Sequence, residues 1–149
     1  IANSILGEFG MMGRVGNVIR EQLGLAYYAY SRLDGGMGAG AWTITAGVAP
    51  ENVPLTIEKA RAEIARLTNT RVSKTDLEDN QSYFTGRLPL RLESNYGLAS
   101  TIHAMVEYGL GLDYLVNYRD HIFNITREDV RDAAAHYLHA DKLVVSIAS

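Results

Sequence analysis

The chain contains no cysteine, only three prolines among 149 residues, and almost no net charge, with a formal value of −3 at pH 7. The missing cysteines exclude disulfides and thiolate metal sites, and they leave the redox compartment open. The slight acidic balance argues against nucleic-acid or anionic-membrane binding driven by bulk charge. No apolar run approaches the roughly 20 residues that a membrane span needs. The first residues also lack the charged segment followed by an apolar stretch that marks a secretory leader. Neither G-x-S-x-G nor H-E-x-x-H nor H-x-x-E-H occurs anywhere, so the sequence offers no motif for a serine hydrolase or for a helical zinc peptidase site.

What remains is an ordinary globular composition, 47% hydrophobic and 21% charged, at a length suited to one core. Residues 1–149 read as a single domain. The chain starts at Ile1, inside an apparent helix, without an initiator methionine. A piece of a longer protein is therefore expected.

Residues 2–9 place Ile5, Leu6 and Phe9 on one helical face. GEFGMMGRVG reads as a glycine-rich joint. Val15, Val18, Ile19 and Leu23 recur at helical spacing, predicting a helix over 14–23 with Gly24 as its C-terminal cap. AYYAYSRL (26–33) and AWTITAGVA (41–49) read as strands of a hairpin joined by DGGMGAG. On the second strand, Trp42, Ile44 and Ala46 share one face, and Thr43, Thr45 and Gly47 the other.

Leu55, Ile57, Ala60, Ile64 and Leu67 predict a helix over 52–67, with Pro54 in its first turn. Ser73 is placed as an N-cap, with Asp76 three residues on and Val72 and Leu77 flanking as a hydrophobic staple. A long helical region to about Gly109 is expected to break or kink near Pro89. A short helix follows over 113–123. Ile125, Thr126, Asp129 and Val130 repeat the cap-and-staple pattern and open a helix to about His139. KLVVSIA (142–148) reads as a closing strand. The order predicts an α+β fold, a mainly antiparallel sheet with helices packed on one face. Three strands make a thin sheet, so a further strand before Ile1 is expected.

The glycines at 7, 10, 13 and 16 are not followed by Lys-Ser or Lys-Thr and do not follow a strand, so they read as a tight joint and not as a phosphate loop. His136 and His139 would share a helix face, but no third ligand accompanies them. His103 and His121 stand alone, and the acidic residues read as helix caps and solvated faces. Arg20 and Tyr27 are left. A guanidinium offers a planar fork of donors, and a phenol adds one more. If the helix over 14–23 crosses the sheet, the two could converge on a carbonyl oxygen or a peptide oxyanion. The ordinary alternative is a surface pair between Arg20 and a glutamate, with Tyr27 packed in the hairpin, and spacing alone favours it.

Ile19-Arg20-Glu21 followed by Gly24-Leu25-Ala26-Tyr27 resembles, in order and spacing, the C-terminal-half domain of pitrilysin-type (insulinase-like) zinc metallopeptidases. The likeness continues through Ala49-Pro50-Glu51-Asn52, through Val72-Ser73 to Asp76-Leu77, and through Leu92-Glu93-Ser94. It ends with Ile125 to Val130 and the closing strand, covering nearly the whole chain. Gly13-Arg14-Val15 departs from the family's serine-containing step at the joint.

The resemblance implies a half-domain with no catalytic or metal-binding residue of its own. Arg20 and Tyr27 would be its substrate-binding residues, reaching a peptide held by an N-terminal zinc-bearing half, fused or separate. Zinc is expected on that partner half and no cofactor in this chain. A homodimer is a further possible assembly, and neither nucleic acid nor membrane is an expected partner. The other role open to such a domain is a structural, scaffolding or peptide-binding regulatory homologue without peptidase activity.

Overall fold

A computed structural model describes residues 1–148, without the side chains of Met11 and Met12. Its described residues form seven α-helices and a two-stranded antiparallel sheet, an α+β fold. They divide into two compact units, Ile1–Ser73 with Arg127 onward, and Lys74–Thr126.

In the first unit, α1 (Ala2–Gly7) and α2 (Phe9–Gly16) are separated only at Glu8. The tight joint read from the glycines is mostly helical itself, and its glycines allow close contact. A Cβ added to Gly7 would lie 2.1 Å from the Ser31 nitrogen, and one on Gly13 would lie 2.6 Å from the Gly7 nitrogen. Only glycine lets these backbones approach so closely. Asn17–Gln22 then continues as a π-helical segment.

The hairpin pairs β1 (Ala26–Leu33) with β2 (Trp42–Val48). Ala29 and Ser31 of β1 are buried, whereas Tyr28, Tyr30 and Arg32 are exposed. Helices α1 and α2 pack on this strand, so they cover its Ala29–Ser31 face. The Asn3 side-chain oxygen accepts from Ser31 Oγ at 2.8 Å and from Trp42 Nε1 at 2.6 Å, tying α1 to both strands.

Helix α3 (Val53–Asn69) carries its proline in the first turn, as expected. It buries Thr56, Ile64 and Leu67, while Leu55, expected to face inward, is exposed. Helix α7 (Arg127–Tyr137) packs on α3 through Val130 and Ala134. Arg127 Nε donates to the Val72 carbonyl at 2.5 Å, and Arg71 pairs with Glu128 at 2.8 Å. The core of this unit is Ile5, Leu6, Val15, Ile19, Ala29, Ile64, Leu67, Val72, Val130 and Ala134.

The second unit holds α4 (Lys74–Leu92), α5 (Asn95–Glu107) and α6 (Tyr114–Phe123). Ser73 sits at the N-cap position of α4. The interruption expected near Pro89 comes just after Leu92, with the proline itself inside the last turn of α4. The stop is set by Ser94, whose Oγ accepts from Gly97 N at 3.0 Å to cap α5. Gly97 also admits a close approach, since a Cβ there would lie 1.8 Å from the Arg91 carbonyl oxygen. Gln81 closes the end of α6, its amide reaching the carbonyls of Ile122, Phe123 and Ile125 at 3.1, 3.3 and 3.0 Å.

One expected strand does not form. Residues 143–148 carry no strand pairing, and Val144 is 98% exposed. A β-branched run has the propensity for a strand but gains a ladder only beside another edge. The described residues pair only β1 with β2.

Candidate functional site

Two local irregularities place Arg20 and Tyr27. The first is the π-helical turn. Leu23 N–H bonds to the Val18 carbonyl at 3.2 Å, five residues back, and Leu25 N–H reaches the Ile19 carbonyl at 2.9 Å. Gly24 closes the segment with φ of +61°, the left-handed conformation glycine tolerates. It is the cap expected from sequence, on a turn one residue wider than an α-helical end. The extra residue per turn resets the direction in which Arg20 projects.

The second irregularity is a β-bulge. The register runs Ala26 with Val48 and then Tyr28 with Gly47, so Tyr27 is the extra residue without a partner across the ladder. A bulge bends the strand and re-aims the side chain it carries. Tyr27 is 84% exposed, so it is not packed into the hairpin.

The guanidinium carbon of Arg20 lies 6.0 Å from the centre of the Tyr27 ring, within cation–π range. Arg20 Nη1 also meets Glu21 Oε1 at 3.4 Å, with the arginine side chain 27% exposed. Both features weighed from sequence are thus present: a loose surface ion pair, and convergence of Arg20 with Tyr27. A 3.4 Å contact with one carboxylate oxygen leaves much of a five-donor guanidinium's capacity uncommitted. The pair can therefore offer guanidinium and phenol donors, beside an exposed ring, to a group arriving from solvent.

Sequence reading did not single out the aromatic surface next to this pair. Tyr28 and Tyr30 face outward with ring centres 6.0 Å apart, and Tyr28 lies over Gly47, where a Cβ would meet its ring at 2.7 Å. The signal was present as tyrosines two apart opposite a strand glycine.

The donor set does not fit a zinc site. Among the described residues no group of three or more His, Asp or Glu is placed to hold a metal. His136 lies in the last turn of α7 with its ring edge-on to Tyr137 at 4.6 Å, and His139 falls beyond the helix end at Tyr137. The two are thus not on one helical face. His103 pairs with Glu107 at 3.6 Å, and His121 stacks on Tyr114 with ring centres 6.2 Å apart. No helix of the described residues is long and apolar enough to cross a membrane.

Residues 1–84 match the family model described as the peptidase M16 inactive domain, and the chain belongs to that pitrilysin family. The structure is similar to a peptidase M16 inactive domain from Pseudomonas fluorescens, with a TM-score of 0.85 and 26% identity over 95% of this chain and 34% of that one. It also matches a protease from Helicobacter pylori, with a TM-score of 0.78 and 18% identity over 91% of this chain and 32% of that one. A chain assigned provisionally as a zinc protease, from Bordetella pertussis Tohama I, matches with a TM-score of 0.74 and 17% identity, over 91% and 74% of the two chains. The chain thus spans about a third of the length of the first two of these structures. No curated protein sequence matches it.

Proposed function

We propose that this chain is the non-catalytic half of a zinc metalloendopeptidase. It helps to enclose a peptide and to position it for a zinc site on a partner half-domain, in the same chain or a separate subunit. The observation that carries the reading is the approach of Arg20 to Tyr27 at 6.0 Å, with Tyr27 almost fully exposed. A π turn and a bulge both cost regular hydrogen bonding, and both converge on these two side chains.

In this reading the Arg20 guanidinium donates to a carbonyl oxygen of the bound peptide, and the Tyr27 hydroxyl donates alongside it. The Tyr27 ring packs against the extended backbone. Donors aimed at an oxygen that gains negative charge stabilise the transition state more than the ground state. Zinc chemistry would come from the partner half; among the described residues of this chain no group of His, Asp or Glu is placed to hold a metal.

The test is Arg20→Ala in the assembled two-half enzyme, with peptide hydrolysis as the readout. Loss of one such donor lowers turnover by about 10²–10³-fold, with the circular dichroism and urea midpoint of this chain unchanged. Unaltered turnover would contradict the reading and favour a structural or peptide-binding regulatory role.

A further inference from the structure

Alternation along β1 works against the exposure of Tyr27. Successive strand side chains point to opposite faces, so residue 27 belongs with Ala29 and Ser31, both buried on the face that α1 and α2 cover. A regular strand would turn the Tyr27 phenol onto that covered face. The ring is exposed instead, because the bulge takes up one extra residue between Ala26 and Tyr28. The meeting of Tyr27 with Arg20 therefore depends on the bulge staying at that one step.

The pair that follows the bulge fixes its place. From Tyr28 to Leu33 the register is regular, and its first pair is Tyr28 with Gly47. Gly47 is the one glycine in either strand. A Cβ added there would lie 2.7 Å from Tyr28 Cε1, 2.8 Å from Cζ and 3.0 Å from the hydroxyl oxygen. The tyrosine ring thus crosses to β2 and fills the space where any other residue would carry its side chain. An aromatic ring laid over a strand glycine covers backbone that the glycine leaves bare, and fastens the two strands at that pair. Tyr30 flanks the ring from the side away from the bulge, with centres 6.0 Å apart and planes tilted by 36°. A ring displaced from Gly47 has Tyr30 on one side and the bulge on the other.

We infer that Gly47 is a positioning residue for the Arg20–Tyr27 pair. It seats the Tyr28 ring, the seated ring pins the register directly after the bulge, and the pinned bulge holds Tyr27 outward against Arg20. A side chain at position 47 lifts the ring and releases the bulge. Its cost to folding is small, because the atoms in its way are the far end of one side chain that can swing toward solvent, and alanine suits a strand better than glycine does. The inference rests on the substrate-holding reading only for its effect on turnover.

The test is Gly47→Ala, read first by NMR on the full chain with isotope-labelled arginine. The Arg20 side-chain resonances carry the ring-current shift of Tyr27, and Tyr27→Ala marks their position without it. Gly47→Ala should move them nearly to that position, with a urea midpoint no lower than the parent's. Tyr28→Ala should move them likewise, whereas Tyr28→Phe, which keeps the ring, should leave them in place. The double variant Gly47→Ala with Tyr28→Ala should move them no further than either single variant, because both break one contact. In the assembled two-half enzyme, Gly47→Ala should lower kcat by about tenfold and leave KM nearly unchanged, as for a donor misplaced in the transition state. Arg20 resonances that stay at the parent position in Gly47→Ala, or that move as far in Tyr28→Phe as in Tyr28→Ala, would overturn the inference. Resonances that move while kcat does not would uphold Gly47 as the positioning residue and contradict the substrate-holding reading instead, so the two can fail separately.

Discussion

The Arg20 guanidinium and the Tyr27 ring face each other across the turn at Gly24, 6.0 Å apart. The turn that brings them together depends on a left-handed residue, Gly24, whose added Cβ would meet nothing. Gly24→Ala therefore introduces backbone strain and no clash. It should cost about 1 kcal/mol, read as a lower urea midpoint at unchanged slope.

Gly7 presents the opposite case. Its φ is ordinary, but a Cβ would sit 2.1 Å from the Ser31 nitrogen and 2.4 Å from Ser31 Oγ. Gly7→Ala should force α1 away from β1 and cost about 2–3 kcal/mol. Gly35→Ala, where nothing lies within 4 Å and φ is not positive, should be near neutral in the same denaturation series.

Gln81 is buried, and its amide nitrogen serves three carbonyls at the end of α6. Gln81→Met keeps the volume and removes the donor. It should destabilise the chain by about 1–3 kcal/mol, the cost of buried acceptors left without a partner. Amide exchange should rise first in α6 and α4, and a variant as stable as the parent would refute this account of the α6 terminus.

Tyr118 has its phenol pushed above the ordinary value of 10.0, chiefly by burial and then by neighbouring Tyr114, with Arg91 and Arg87 opposing. The folded chain then keeps that proton at a pH where the unfolded chain has released it. The stabilisation is complete below about pH 10 and is lost as pH rises through the raised value. Tyr118→Phe should flatten the decline of stability above about pH 10, measured by urea denaturation at successive pH values.

Much of this architecture was legible because it is written in local signals. The hairpin followed from alternation in 26–33 and 41–49. The helix ends followed from Gly24, Pro54 and Ser73, each a residue with a specific backbone role. The glycines of GEFGMMGRVG read as a tight joint between two helices, and Gly7 and Gly13 are positions where backbones touch. Differences arose where tertiary contact decides. The break or kink expected near Pro89 is met by an interruption three residues on, where α4 ends at Leu92 and Ser94 caps the next helix. KLVVSIA has strand propensity, yet residues 143–148 pair with no strand among the described residues. For the site, spacing lets Arg20 and Tyr27 meet only if the helix crosses the sheet suitably. The π turn and the bulge that bring them together leave no periodicity to read.

The central claim is that Arg20 and Tyr27 act as one substrate-holding unit. The most direct measurement is a double-mutant cycle of Arg20→Ala and Tyr27→Phe on kcat/KM in the assembled two-half enzyme. The account predicts strong non-additivity, with the double variant losing little more activity than the worse single variant. Strictly additive losses, or no loss in either single variant, would contradict it.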